Sequence, residues 1–383
     1  MAYNIKNFFE ITYLSFFRAK NTLARLTPKR LLVLFLFYLG YTILEVLTWA
    51  GFGLDEIFFP AYRHIEIRQP FFIIGNPRSG TTFLHRLLAK DEKNFISIRL
   101  WEILFAPSIT HRRLISTIAA ADRGLGGLLH RLMRWIDRYV QASNIMHRIS
   151  LFVPEEDEYF LIHQGSTIIA GLFFGFPKAA YRYVFFDTRL RRSEKRAVMR
   201  FYRHCLQRHL YAHSDQRHIL SKNPYFSPKV DALYETFPDA RIIYLVRNPL
   251  QVVPSYASLS AHWWRLMAEP KNRYPHPEYI LRATQHWYRY PVDRLDRAPE
   301  ESRVFVKFDD LIADPEGIVR AIYQHFGLEV SQAFAATLRE EARKARHYKS
   351  HHVYRLKDMG ISREHILRIY RDVFERWGFP TEA

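Results

Sequence analysis

The amino-acid sequence predicts an α/β protein: a central parallel sheet flanked by helices in three layers, preceded by an N-terminal apolar helical segment. Three observations carry that prediction. Short apolar runs at Phe71–Ile74, Ile219–Lys222, Ile242–Val246 and Val304–Lys307 have the length and composition of buried parallel strands. Helical patterns follow three of them, beginning near Thr81, Leu250 and Pro315. Residues 1–65 differ in character from everything after them, and 383 residues suffice for one large core with an appendage.

Taken in order, Ile5, Phe8, Phe9, Tyr13, Phe16 and Phe17 fall on one helical face, with Lys6, Arg18, Lys20, Arg25, Lys29 and Arg30 along the same stretch. An aromatic stripe beside basic residues suits a helix lying in a membrane interface. After Pro28, Leu31–Gly53 carries a single charge, Glu45. About 20 apolar residues suffice to cross a bilayer, so the segment either spans or lies in the membrane. A late start, a long apolar core and no small-residue cleavage site disfavour a signal peptide. The expected division is a membrane-associating segment, 1–65, and a catalytic domain, 66–383, with the membrane as partner through residues 1–53.

Phe71–Ile74 then runs into Gly75-Asn-Pro-Arg-Ser-Gly80, and from Thr81 the residues Phe83, Leu84, Leu87 and Leu88 recur at helical spacing. Strand, tight loop and helix N-terminus present backbone N–H groups and a positive dipole end to an anion. The loop reads G-x-x-x-x-G-T-T, one residue from the nucleoside-triphosphate loop G-x-x-x-x-G-K-[ST]. Thr81 stands where that lysine would be, and Arg78 supplies charge from inside the loop instead.

Further on, Asn94–Pro107 contains Trp101-Glu102, and Ile109–Met146 reads as one helical stretch of Arg and His among Leu, Ile and Trp. Val153–Tyr159 is an acidic cluster that reads as a helix start, with Pro154 in the first turn. Leu250–Leu259 reads as a helix carrying Ser255, its start delayed by Pro254; Pro315–Phe326 and Arg363–Trp377 read as later helices. Ligands of open parallel sheets bind at the carboxyl ends of strands, where Arg78, Lys222 and Arg247 would converge.

Charge and composition narrow the partners. Lys and Arg number 56 against 38 Asp and Glu, a net +18 that attracts an anionic membrane surface, an anionic substrate or nucleic acid. No nucleic-acid-binding module is visible, so no nucleic acid is expected. Cys205 is the single cysteine and the 18 histidines form no ligand motif, which disfavours both a disulfide and metal catalysis.

Pro77-Arg78-Ser79-Gly80-Thr81-Thr82 resembles the 5′-phosphosulfate loop of sulfotransferases that use PAPS (3′-phosphoadenosine 5′-phosphosulfate). The wording is most similar to the branch that includes tyrosylprotein sulfotransferases and bacterial membrane-associated relatives, and the resemblance runs from about Tyr62 onward. It implies a P-loop-like three-layer fold and transfer of a sulfuryl group to a hydroxyl or amine without metal. Arg78, Ser79, Gly80, Thr81 and Thr82 would then hold the phosphosulfate, and Lys222 would face the transferring group. Arg247 and Ser255, eight residues apart, resemble the 3′-phosphate site. Glu102 resembles the family's general base; Glu155, Glu156 and Asp157 are reserves, and His85 or His111 further candidates. Asn248, Phe308 and Leu259 depart from the family pattern. The alternatives are a P-loop phosphotransferase such as a small-molecule kinase, which Thr81 argues against, and a non-catalytic nucleotide-binding membrane protein. The resemblance leaves two placements: a catalytic domain on the cytoplasmic face, favoured by the lone cysteine, or a Golgi-lumen type II protein.

Overall fold

The apolar run at Phe71–Gly75 forms β1, the middle strand of a five-stranded sheet in which every pairing is parallel. The computed structural model describes residues 3–143, 150–269, 274, 276–346 and 356–381. The other strands are β2 (Phe95–Ile96), β3 (His218–Lys222), β4 (Arg241–Val246) and β5 (Arg303–Lys307), in spatial order β2-β3-β1-β4-β5. β2 has two residues, too few to show periodicity, and is absent from the sequence expectation.

Alternation along β1 splits the interior into two layers. Phe71 and Ile73 pack with Leu84, Leu88, Val319 and Tyr323 on one face; Phe72 and Ile74 pack with Phe160, Tyr202, Tyr244 and Trp287 on the other. All four β1 side chains are fully buried, the condition for a parallel strand covered on both sides. β3 and β4 flank β1, so the chain reverses direction across the sheet there and opens a crevice at the carboxyl ends.

The N-terminal segment is two helices, α1 (Ile5–Phe17) and α2 (Pro28–Phe58). Pro28 occupies the first turn of α2 and the Thr27 side chain accepts from the Arg30 N–H. At 1.5 Å per residue, 31 residues run roughly 46 Å. One side of α2 is fastened to the domain along this length. Arg30 donates to the Phe174 carbonyl (2.9 Å), Tyr41 to that of Ile162 (2.9 Å) and Trp49 to that of His163 (3.0 Å). Glu45 meets His163 Nδ1 at 2.8 Å, and Asp55 meets Arg208 at 2.9 Å. The opposite side, including Leu32, Phe35, Leu39, Ile43, Leu47 and Ile57, is exposed. On α1, Ile5, Phe9, Tyr13, Phe16 and Phe17 are exposed as expected, while Phe8 turns inward between Tyr38 and Tyr41.

Four local expectations are corrected. The stretch expected to be one helix over 109–146 is two, α5 (Ile109–Gly124) and α6 (Leu128–Ser143), because Gly126 and Gly127 take φ of +93° and +71° and reverse the chain; residues 144–146 lie outside the described residues. Pro154 does not open a helix: Glu155 N–H bonds to the Ile98 carbonyl, Arg99 bridges Pro154, and a 3₁₀ segment follows at Asp157–Gln164. Pro254 does not delay its helix, which runs Pro249–Met267 because Asn248 caps it by accepting from Leu250 N–H. The final helical stretch divides at Tyr370 into Arg363–Ile369 and Arg371–Trp377.

Candidate active site

The loop after β1 is shaped by backbone that side chains rarely permit. Gly75 has φ +150°, and a Cβ there would lie 2.3 Å from the Leu245 carbonyl oxygen of β4. Arg78 (φ +73°) and Gly80 (φ +92°) are left-handed, and α3 (Thr81–Leu88) starts directly behind them. Such turns, followed by a helix N-terminus, gather N–H groups into a concavity suited to an anion. Asn76 and Ser79 are buried inside the loop, and neither the Asn76 amide nor the Ser79 hydroxyl has a hydrogen-bond partner. The loop therefore carries unmet polar capacity, which a phosphate or sulfate oxygen fits.

Segments far apart in sequence meet at this loop. Arg78 Nε donates to Ser255 Oγ at 2.9 Å. Arg247, just past the end of β4, donates from Nη1 to the Arg78 carbonyl at 3.1 Å, and the Tyr288 hydroxyl fixes its own carbonyl at 2.6 Å. The Arg247 guanidinium stacks 4.1 Å from the ring centroid of Phe308, which follows β5 directly. Phe308 also closes on Gly80: an added Cβ there would come within 2.3 Å of its ring. Arg78, Ser255 and Arg247 are thus one cluster, which joins two of the three cations, Arg78 and Arg247, that the strand-end argument brings together.

Lys222 ends β3 in register with Ile73 of β1, so it flanks the same carboxyl edge. It is fully buried and donates to Glu155 and Glu156, each at 2.9 Å. Burial alone would lower its pKa, but the two carboxylates overcome this and hold it above the ordinary lysine value. Glu156 is the less enclosed of the pair, with 12% of its side chain exposed against 1% for Glu155. Asp157 sits behind them, accepting from Tyr202 and Ser221, and burial pushes it up to about 6.

Glu102 lies in a different cluster. On α4 (Leu100–Leu104) its carboxylate accepts from Arg99 N–H (2.8 Å), His213 Nε2 (2.8 Å) and Arg112 Nη1 (3.3 Å). Burial opposes its ionisation, yet the His213 hydrogen bond, the His209 ring and Arg112 drive its pKa well below the usual carboxylate range. So committed a carboxylate is a weak base and a strong helix cap. Glu102, His209 and His213 approach as cation ligands do, but Arg112 already sits against both Glu102 and His209 and supplies the positive charge there. His85 is buried on α3 near Lys222, and burial pushes it down to about 3, so it is neutral. His111 packs against Gly51 of α2 and not at the loop.

Phe308 and the Glu155–Glu156 pair are the residues that sequence reasoning undervalued; position at a strand end was the signal for Phe308, and the sequence carries none for the pairing of Lys222 with Glu155 and Glu156. Asn248, a departure from the family pattern, works as a cap and donates to the Pro380 carbonyl at 2.9 Å. Separately, an apolar cavity of about 110 Å³ lies between α1, α2 and α7 (Ile169–Phe174), lined by Phe8, Ile11, Phe37 and Phe174 among others.

A parallel sheet with a loop shaped for an anion after its middle strand, and cations at the adjoining strand ends, is an anion-binding arrangement of the α/β class. The chain belongs to the sulfotransferase family, whose model matches residues 70–332. It is 26% identical over 327 residues to omega-hydroxy-beta-dihydromenaquinone-9 sulfotransferase Stf3 of Mycobacterium bovis and of Mycobacterium tuberculosis, covering 82% of this chain and 76% of that one. Sulfotransferase STF9 from Mycobacterium avium has a similar fold (TM-score 0.68, 19% identity, 87% of this chain and 82% of that one). So does sulfotransferase STF1 from Mycobacterium tuberculosis (TM-score 0.60, 21% identity, 84% and 81%).

Proposed function

We propose that the protein transfers a sulfuryl group from PAPS to a hydroxyl or amine of a hydrophobic, membrane-associated acceptor. The observation that carries this is the Arg78–Ser255–Arg247 cluster at the anion loop. When bound, PAPS supplies a sulfuryl group already activated as an anhydride with phosphate. The chain's residues position and neutralise. The loop N–H groups and the Thr81 and Thr82 hydroxyls hold the phosphosulfate end, and Arg78 adds charge. Arg247 and Ser255 hold the 3′-phosphate. Lys222 stabilises charge on the bridging oxygen, where one such group is worth on the order of 2.7–4 kcal/mol. We assign the general base to Glu156 rather than Glu102, because Glu156 reaches Lys222 and remains partly accessible.

The hydrophobic acceptor is supported by the apolar cavity under α1 and α2, and by the lipid hydroxyl in the Stf3 name. The fastening of α2 along its length supports a monotopic anchor, and the lone, buried Cys205 favours a domain on the cytoplasmic face. Crossing a bilayer would carry the Glu45–His163 pair and its surroundings into hydrocarbon. Incubating the purified protein with ³⁵S-labelled PAPS and a membrane extract tests the reading. Labelled lipid-soluble product is expected, and lost in Arg78→Ala and Lys222→Ala; its absence from the wild-type reaction contradicts the proposal.

A further inference from the structure

The α5–α6 hairpin carries a surface that neither the fold nor the transfer chemistry uses. On α6, Leu128, Leu132, Trp135 and Tyr139 fall at i, i+4, i+7 and i+11, one face of the helix, and all four are exposed. The tip residue Leu125 is 85% exposed, beyond any need of a folded soluble surface. Arg131, Arg134 and Arg138 run along one flank of that stripe and are exposed, as are Arg113 and Arg123 on α5.

Against these five arginines the hairpin sets only two acids, Asp122, which faces Arg131, and Asp137. Asp122 caps α6, accepting from Leu129 and His130 N–H, and Asp137 is buried on the opposite face. Leucine, tryptophan and tyrosine beside an excess of arginine is the composition of a helix seated in an anionic bilayer surface. The hairpin also continues from the apolar anchor: Asp55 of α2 accepts from Ile109 and Thr110 N–H (2.9 Å each), so α5 begins where α2 ends.

We propose that the α5–α6 hairpin is a second membrane-docking element that seats its α6 stripe in an anionic lipid surface. Its place in the fold gives this a consequence. Asp137 accepts from Ser150 (3.0 Å) and from Leu151 N–H (2.8 Å), so α6 holds the segment that leads to Glu155 and Glu156. Docking the hairpin would hold the Glu155–Glu156 segment, and Lys222 which it contacts, near the membrane, where an apolar acceptor would be delivered. The proposal extends the reading of the chain as a membrane-surface enzyme.

The test uses full-length protein with Leu132→Cys labelled by an environment-sensitive fluorophore, the native Cys205 being buried. A parallel label at Leu39→Cys reports on α2. Vesicles of phosphatidylcholine and phosphatidylglycerol at about 7:3 are compared with phosphatidylcholine alone. The Leu132 label brightens and shifts blue on the anionic vesicles, and nitroxide lipids quench it. Leu128→Asp/Leu132→Asp binds those vesicles about tenfold or more weakly, a change of about 1.4 kcal/mol, with Tm unchanged. A Leu39 response without a Leu132 response overturns the hairpin proposal and leaves the anchor standing. A Leu132 response that follows protein concentration without vesicles also overturns it, showing a second copy of the chain as occupant. Sulfuryl transfer and PAP binding are measured in solution beside it, so failure of the proposed activity is read separately.

Discussion

Replacing Lys222 by methionine separates structure from chemistry at the candidate site. The ammonium is fully buried and lies 2.9 Å from each of two carboxylates, so Lys222→Met strands both in a low-dielectric pocket. Removing one partner of a buried ion pair costs roughly 3–5 kcal/mol of stability. If Lys222 also faces the transferring sulfuryl group, turnover falls a further 10²–10³-fold or so, the usual loss of one transition-state donor. The bridging oxygen stays on PAP as a charged phosphate oxygen, so PAP affinity falls too, by about tenfold or more. Urea denaturation, PAP calorimetry and labelled-sulfate transfer per folded molecule read the three quantities. Adding Glu155→Gln removes one stranded charge and regains part of the stability without restoring turnover. Lost stability with wild-type turnover would refute the catalytic role and leave Lys222 a structural cation.

Other expectations follow from the same geometry. Gly80→Ala pays about 1–2 kcal/mol for a left-handed backbone and displaces Phe308 from Arg247, so PAP binds at least about tenfold more weakly; Phe308→Ala in the same chain recovers part of the loss in calorimetry. Asp157, raised to about 6 when folded against about 3.9 unfolded, contributes stability that is present below pH 4 and lost as pH rises through 6. The wild type therefore loses on the order of 2–3 kcal/mol relative to Asp157→Asn between pH 4 and 7 in denaturation curves. Glu102→Gln lowers stability by about 1–3 kcal/mol through Arg112 and His213 but leaves PAP affinity intact, whereas Glu156→Gln, which leaves Lys222 its Glu155 partner, costs a similar ~1–3 kcal/mol and abolishes transfer. Loss of transfer in Glu102→Gln with transfer retained in Glu156→Gln would return the base to Glu102.

The sheet was legible because parallel strands buried on both faces are short continuous apolar runs, as at Phe71–Ile74 and Ile242–Val246. The anion loop was legible because glycines and Arg78 must sit at fixed offsets to turn the chain and charge it. β2 was not: two residues carry no period. Nor was the partner of Lys222, because contact between β3 and the Glu155–Glu156 segment is a tertiary fact that spacing does not encode. The surroundings of Glu102 were not legible for the same reason. Its position after the loop resembles a base, but Arg112 and His213, brought in from other helices, convert it into a cap and a charge clamp. Phe308 looked like a departure until its ring proved to lie between Gly80 and Arg247.

The most direct measurement of the central idea is PAP affinity by calorimetry in wild type, Arg78→Ala, Arg247→Ala and the double variant. Two cations joined through the Arg78 carbonyl and serving one ligand should each weaken PAP by about tenfold or more. Their combined loss should depart from the sum of the singles by more than about 0.5 kcal/mol. Wild-type protein that ignores PAP, or variants that bind it as well as wild type, would contradict the account.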